Sequence, residues 1–387
     1  MEVYKYMSKY FQPTIINFGK DEFLNLGKIV KKYGRNVILV TDKNVEPLKN
    51  LFDKAKEILS NEGIEFYHFD KVIPNPTTDV IDEGLDVMSK NNFDVVLSIG
   101  GGSTNDTSKI LALMNKKTNL NWEEMFDKYS NPFADYENPS DNVLPIITVP
   151  TTSGTGSQVT QAAVITYKGE KLTVYHKSVF SKETVLDPNL MLTLPNYVTA
   201  TSGFDAFTHA FESYCSKHAT PFSREDSKKA MRTIIRFLPK VINNPDNVEY
   251  REQMVIADLF AGRALANAGA IASHPIAEMI GGFKISHGES LAITFPEFIN
   301  HSYDKYKKEF DEILEILKEE AQFLDGSENL MQVFEKFLNE IKLNTKLSKY
   351  DITDEQFLEL IKKPIWDHLP FGDREYFERI LYAIRKY

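Results

Sequence analysis

Through roughly the first 190 residues, short runs of apolar and β-branched side chains alternate with stretches in which apolar residues recur at helical spacing. Residues 37–41 (VILVT), 64–69, 95–99 (VVLSI) and 146–149 (IITV) read as buried strands. Helices are expected over 21–33, closed by Gly34, over 79–91 and over 106–114. Strands joined by crossover helices imply a parallel sheet. After Asp187-Pro188 the strand pattern stops. Helical periodicity then predicts elements over 197–216, 223–242, 247–270, 303–323, 330–341, 353–361 and 374–385, with Ser223, Ser227 and Thr353 as candidate caps. The expected fold class is therefore α/β plus all-α: a parallel-sheet nucleotide-binding domain over 1–190, then a helical domain over 191–387. No Pro- or Ser-rich linker separates them, so the halves are expected to pack directly and leave a cleft.

Composition narrows the function. A chain of 387 residues exceeds one typical core, consistent with two domains. A net charge of −10 without a long basic run argues against nucleic acid as a partner. The single cysteine, Cys215, excludes an internal disulfide and reads as a core filler in a reducing compartment. No run approaches the length of a membrane span, and the first residues lack a signal peptide's apolar core. These readings lead to the expectation of a cytoplasmic protein with no membrane partner.

Two polar runs follow strands. Gly100-Gly101-Gly102-Ser103 opens onto a helix, where glycine lets the backbone approach a phosphate and free amides face the anion. A tight turn is the competing reading. Thr151, Thr152, Thr155, Ser157 and Thr160 crowd the second run, which offers a cofactor many donors with little bulk, or is simply a loop. Two such runs at strand C-termini of one sheet occupy the edge where open α/β sheets bind ligands. Asp42 ends the first strong strand, as a ribose acceptor favouring NAD over NADP or as a turn aspartate.

Candidate metal chemistry lies in the helical half. Asp205 and His209 are four residues apart, on one face of a helix, with His274 and His287 downstream. One carboxylate and three imidazoles suit ferrous iron or zinc better than calcium or magnesium. An ordinary aspartate–histidine helix contact explains the first pair equally.

Taken together, Phe18-Gly19-Lys20, Thr41-Asp42, Pro74-Asn75-Pro76-Thr77, Gly100-Gly-Gly-Ser103-x-x-Asp106-x-x-Lys109, the run Pro150 through Thr160, Asp187-Pro188, Gly203-x-Asp205-Ala-x-x-His209-Ala and His287-Gly288 stand in one order along the chain. In this the sequence closely resembles the iron-dependent (group III) alcohol dehydrogenase family, nearly end to end. The resemblance implies a metal in a cleft between the two domains. It implies Asp205, His209, His274 and His287 as its ligands, and Gly101, Gly102, Ser103, Thr151, Thr152 and the loop to Thr160 as cofactor contacts. Asp106 and Lys109 conform to the motif, and Lys171 matches a lysine such enzymes place near the cofactor. It also implies a dimer joined through N-terminal strands, here within 3–16.

Two departures stand out. Where the family commonly carries a second histidine four residues after the third ligand, this chain has Glu278. The last two ligand histidines are one residue closer than usual, a deletion within 281–286 that a loop is expected to absorb. Glu278 is expected to accept the substrate's proton, to hydrogen-bond a substrate hydroxyl, or to orient a histidine ligand. The expected function is metal-dependent hydride transfer between NAD and a small primary alcohol or aldehyde, with iron or zinc as the ion. The alternatives are a dehydroquinate synthase-like lyase and a catalytically silent nucleotide-binding relative.

Overall fold

The computed structural model describes residues 9–386, so the proposed dimerising segment lies partly outside the described residues. The strands are β1 (Ile15–Phe18), β2 (Asn36–Asp42), β3 (Glu65–Val72), β4 (Val95–Gly100), β5 (Ile146–Pro150), β6 (Ala162–Tyr167), β7 (Glu170–Tyr175) and β8 (Glu183–Leu186). Six of them form an all-parallel sheet in the order β1-β8-β5-β4-β2-β3, while β6 and β7 pair as an antiparallel hairpin. The helices that pack around them are α1 (Leu26–Lys31), α2 (Lys49–Asn61), α3 (Thr78–Lys90), α4 (Gly102–Leu113) and α5 (Trp122–Lys128).

Central strands β4 and β5 are buried along their whole length, as a parallel sheet covered on both faces requires. Alternation along β2 divides the core in two. Val37 and Leu39 pack with Leu26, Val30, Phe52 and Leu59 of α1 and α2, while Ile38 and Val40 pack on the other face with Ile81, Leu85 and Leu111 of α3 and α4.

Beyond the sheet come α6 (Asn196–Cys215), α7 (Pro221–Asn243), α8 (Val248–Ala268), α9 (Ser273–Gly281), α10 (His287–Lys318), α11 (Leu330–Glu340), α12 (Asp354–Ile361) and α13 (Arg374–Lys386). Their core is rich in phenylalanine, with Phe204, Phe207, Phe211, Phe295, Phe334 and Phe337 meeting at tilted and edge-on angles. Cys215 is buried within it.

Several sequence expectations need correction. Helix α4 starts directly after Gly101 rather than at Asp106, since its first turn is built of small polar residues that carry no apolar period. Helix α10 begins at His287, not near residue 303; Pro296 suggests a break, but the helix continues past it to a kink at Tyr306. Helix α9 is too short and too fully buried to show an amphipathic face. The β6–β7 hairpin was not expected; its turn is Lys168-Gly169, both with positive φ (50° and 83°), the geometry of a two-residue hairpin turn, and Gly169 is its trace in the sequence. Thr220 caps α7 with Ser223 at the third helical position, so Ser223 completes a capping box rather than serving as the cap, and Ser227 lies inside the helix. Thr353 caps α12 as expected.

Candidate active site

Strand ends gather the polar runs at one edge. Strand β4 closes at Gly100 and α4 opens at Gly102, which leaves the unpaired amides of its first turn at the C-terminal edge of the sheet. A Cβ added at Gly102 would come within 2.6 Å of the Thr155 side chain, so glycine is what lets the two loops touch. Gly156 adopts φ +60° and sits so close to Gly262 of α8 that a Cβ would lie 2.4 Å from its Cα. Asp258, also on α8, accepts the Gly156 N–H at 3.0 Å and the Gln158 amide at 2.7 Å. The second loop is thereby fastened to the helical part, and a cavity of about 330 Å³ opens between the two halves.

The metal candidates line that cavity. Asp205, His209 and Glu212 recur along one face of α6, His274 opens α9, and His287 is the first residue of α10. Oδ1 of Asp205 lies 3.7 Å from Nε2 of His209, 3.4 Å from Nε2 of His274 and 3.5 Å from Nε2 of His287. Asp205, His209 and His274 each offer an atom within 4.8 Å of the others; His287 falls outside that group, its ring 5.5 Å from that of His274. The His209 and His274 rings stack at 4.4 Å between centroids.

Outer contacts orient these rings. Nδ1 of His274 donates to Glu212, whose other oxygen accepts the Ile271 N–H at 2.6 Å. Nδ1 of His209 meets the Gly154 carbonyl at 3.4 Å. Donation from both Nδ1 atoms turns both Nε2 atoms toward Asp205. Gly288 lets α10 close on α6, because a Cβ there would stand 2.3 Å from the Thr201 carbonyl oxygen.

The charges fit a cation. Burial alone would push Asp205 and Glu212 up, but the surrounding imidazoles and, for Glu212, the Ser273 hydroxyl and Ile271 N–H hold both carboxyls below their ordinary range. Burial opposes charge on His274, yet Glu212 and Asp205 raise it to about 10. Burial lowers His209, and it lowers His287 to about 3. Two carboxyls held low beside the imidazoles give the cluster an acidic balance that suits a cation. Oδ1 of Asp205 and Nε2 of His274 are buried without a hydrogen-bond partner, as ligand atoms awaiting an ion would be.

Of the predicted cofactor residues, Gly102, Ser103, Thr155, Ser157, Thr160 and Lys171 line the cavity. Gly101 packs against Thr152, and the buried Thr151 donates its N–H to Gly100 at 3.0 Å, joining the two loops from behind. Asp42 stands outside the cavity wall, accepting the Thr104 hydroxyl at 3.1 Å. The Ser157 hydroxyl donates to Asp106 at 2.6 Å, and both Ser157 and Thr160 accept from the buried Lys109 ammonium at 2.9 and 3.1 Å. Those hydroxyls are held from inside, with Lys109 also reaching the Ala162 carbonyl.

Glu278 sits one turn beyond His274 on α9 and lines the same cavity; burial pushes its carboxyl up, against the pull of Lys171 and His274. Glu212 and Asp258 were missed from sequence. Glu212 had a signal, three residues beyond His209 on the ligand face, whereas Asp258 had none, because its partners lie about a hundred residues away.

Residues 13–188 match the family model described as iron-containing alcohol dehydrogenase, and residues 199–379 match the one described as Fe-containing alcohol dehydrogenase family, C-terminal. An NAD-dependent methanol dehydrogenase of Bacillus methanolicus is 28% identical over 364 residues, 92% of this chain and 93% of that one. Alcohol dehydrogenase 4 of Schizosaccharomyces pombe is 34% identical over 294 residues, 74% of this chain and 67% of its own. Among solved structures, a 1,3-propanediol oxidoreductase superposes with a TM-score of 0.87 at 26% identity, covering 98% of this chain and all (100%) of the other.

Proposed function

Because the chain belongs to the iron-containing alcohol dehydrogenase family, and so is a metal-dependent oxidoreductase of alcohols and aldehydes, we propose that Asp205, His209, His274 and His287 hold its ion and that NAD is its hydride carrier. The observation that carries this reading is the convergence of three Nε2 atoms within 3.7 Å of one Asp205 oxygen. A divalent ion held there, iron or zinc, supplies Lewis acidity toward an alcohol or aldehyde oxygen. The nicotinamide supplies or accepts the hydride.

The chain's own residues do the rest. The first turn of α4, with Gly101, Gly102 and Ser103, receives the pyrophosphate, and Thr151, Thr152, Thr155, Ser157 and Thr160 shape the wall beside it. Asp42, beyond the cavity, receives the ribose hydroxyls and disfavours a 2′-phosphate. Lys171 faces the cofactor from β7. Glu212 and the Gly154 carbonyl keep the ligand histidines in the tautomer that turns Nε2 inward, and Glu278 meets the substrate. The division into a dinucleotide-binding part over 1–190 and a metal-binding helical part over 191–387 belongs to the same proposal.

Two coarser expectations complete it. Strand β1 is an edge strand with Ile15 and Phe18 exposed, which supports a homodimer joined there. No single helix among the described residues is long and apolar enough to cross a membrane, and one buried free cysteine supports a reducing cytoplasm.

The deciding experiment is anaerobic loading with ferrous iron or zinc, followed by NADH oxidation across a panel of aldehydes. Metal-dependent turnover is expected. NADH that binds but is never consumed, or product elimination without net NADH loss, would overturn the reading in favour of a silent relative or a lyase.

A further inference from the structure

The loop 154–158 is pressed between two helices of the second half and touches both candidate sites. On one side it meets α6: a Cβ at Gly154 would stand 2.7 Å from the Cβ of Ser202, and the Gly154 carbonyl accepts the Nδ1 proton of His209 at 3.4 Å. On the other side it meets α8, where the buried Asp258 accepts the Gly156 N–H at 3.0 Å and the Gln158 amide at 2.7 Å, and is bonded by the Gly154 N–H as well. One glycine thus gives its N–H to Asp258 and its carbonyl to His209. Between these anchors Thr155 lies against Gly102 in the first turn of α4, and Thr155 and Ser157 line the cavity. Asp258 stands outside the cavity lining, behind the loop.

We infer that Asp258 is a positioning residue that couples the two sites: through Gly154 and the loop it holds, occupancy of the metal ligands tightens the cofactor, and the cofactor tightens the metal. The inference rests on the metal and cofactor assignments proposed above and adds a dependence between them. An imidazole that gives Nε2 to a cation becomes a stronger donor at Nδ1, because the ring shares the withdrawn charge between its nitrogens. His209 then draws harder on the Gly154 carbonyl. Asp258 decides where that pull goes. With Gly154, Gly156 and Gln158 all tied to α8, the loop responds as one piece, and Thr155 and Ser157 are fixed beside the turn that receives the cofactor's phosphates. Without the carboxylate the loop yields at Gly156, and fixing His209 no longer fixes Thr155. Reciprocity follows from linkage, since a coupling free energy between two sites has one value whichever ligand binds first.

The test reads binding rather than turnover. Chelator-treated full-length protein is titrated with NADH, followed by its fluorescence, and with ADP-ribose, followed by calorimetry, before and after loading with zinc, which has no redox chemistry of its own. Zinc is expected to tighten both ligands by about 5-fold or more, the lower end of ordinary coupling between sites. ADP-ribose lacks the nicotinamide, so an effect confined to NADH would place the coupling in a direct contact near the metal and overturn the inference. In Asp258→Asn the zinc effect is expected to fall toward 1 for both ligands; Asp258→Ser, which leaves room for water on the loop's N–H groups, is the second variant and is expected to behave alike. Combining Gln158→Glu with Asp258→Asn keeps one carboxylate and one amide at the joint with their places exchanged, and is expected to restore most of the effect. A wild-type factor near 1, a factor that the Asp258 variants leave unchanged, or one that the exchange does not restore overturns the assignment. Failure of the wild type to retain zinc, read by metal analysis, or to bind NADH would instead remove the metal or the cofactor assignment itself, and this inference with it.

Discussion

Glu212 accepts the Nδ1 proton of His274, and the same carboxylate receives the Ile271 N–H at 2.6 Å on its other oxygen. The carboxylate therefore fixes both the tautomer of the imidazole and the approach of α9 to α6. The substitution Glu212→Gln removes the charge and offers an amide donor in place of one oxygen. The variant is expected to bind ferrous iron or zinc about 10–100-fold more weakly, the usual effect of losing a partner behind a ligand histidine. Competition against a chromophoric chelator measures this without reference to turnover; unchanged affinity would remove Glu212 from that role.

His287 is held differently. Two residues on, the buried Glu289 accepts the Tyr197 hydroxyl at 2.6 Å and Lys349 at 3.1 Å, while Tyr197 also meets Ser286 at 2.7 Å. These contacts pin the first turn of α10 behind a short loop. Glu289→Leu is expected to weaken metal binding while leaving NADH affinity within about threefold, since only the helical half is disturbed. Loss of both affinities together, with a lowered melting temperature, would show a general destabilisation instead.

Lys109 is buried, donates to Ser157, Thr160 and Ala162, and has its pKa lowered to about 8 by burial despite Asp106. Lys109→Met would leave Asp106 as an uncompensated buried charge, so unfolding by urea should show a loss of about 3–5 kcal/mol. The double variant Asp106→Asn, Lys109→Met should recover part of that loss. A double variant no better than the sum of the singles would mean that the pair is not coupled.

Burial lifts Asp258 to about 7, against the hydrogen bonds from Gln158 and Gly156. With the unfolded carboxyl near 3.9, the folded chain keeps a proton that the unfolded chain releases between about pH 4 and 7. Through that window stability falls as pH rises, by at most about 1.4 kcal/mol per pH unit from this group. Urea midpoints at pH 5 and pH 8 should therefore differ less in Asp258→Asn than in the wild type. An undiminished difference would assign the titration to another group.

The pattern of apolar residues by itself determined the parallel sheet, because buried strands such as 95–99 and 146–149 alternate with helical stretches that cover both faces of the sheet. It also determined the helical second half, whereas the candidate set Asp205, His209, His274 and His287 was legible only through the order of motifs along the chain. Elements without a period of their own escaped it: the buried α9, the start of α10 at His287 and the β6–β7 hairpin. Tertiary structure alone decided what distant residues do to one another. Asp258 reaches Gly156 across about a hundred positions, Lys349 reaches Glu289 across sixty, and Lys171 and Glu278 come to line one cavity. Chain separation carries no trace of such meetings, because hydrogen bonding and charge act through space once packing has closed the cleft.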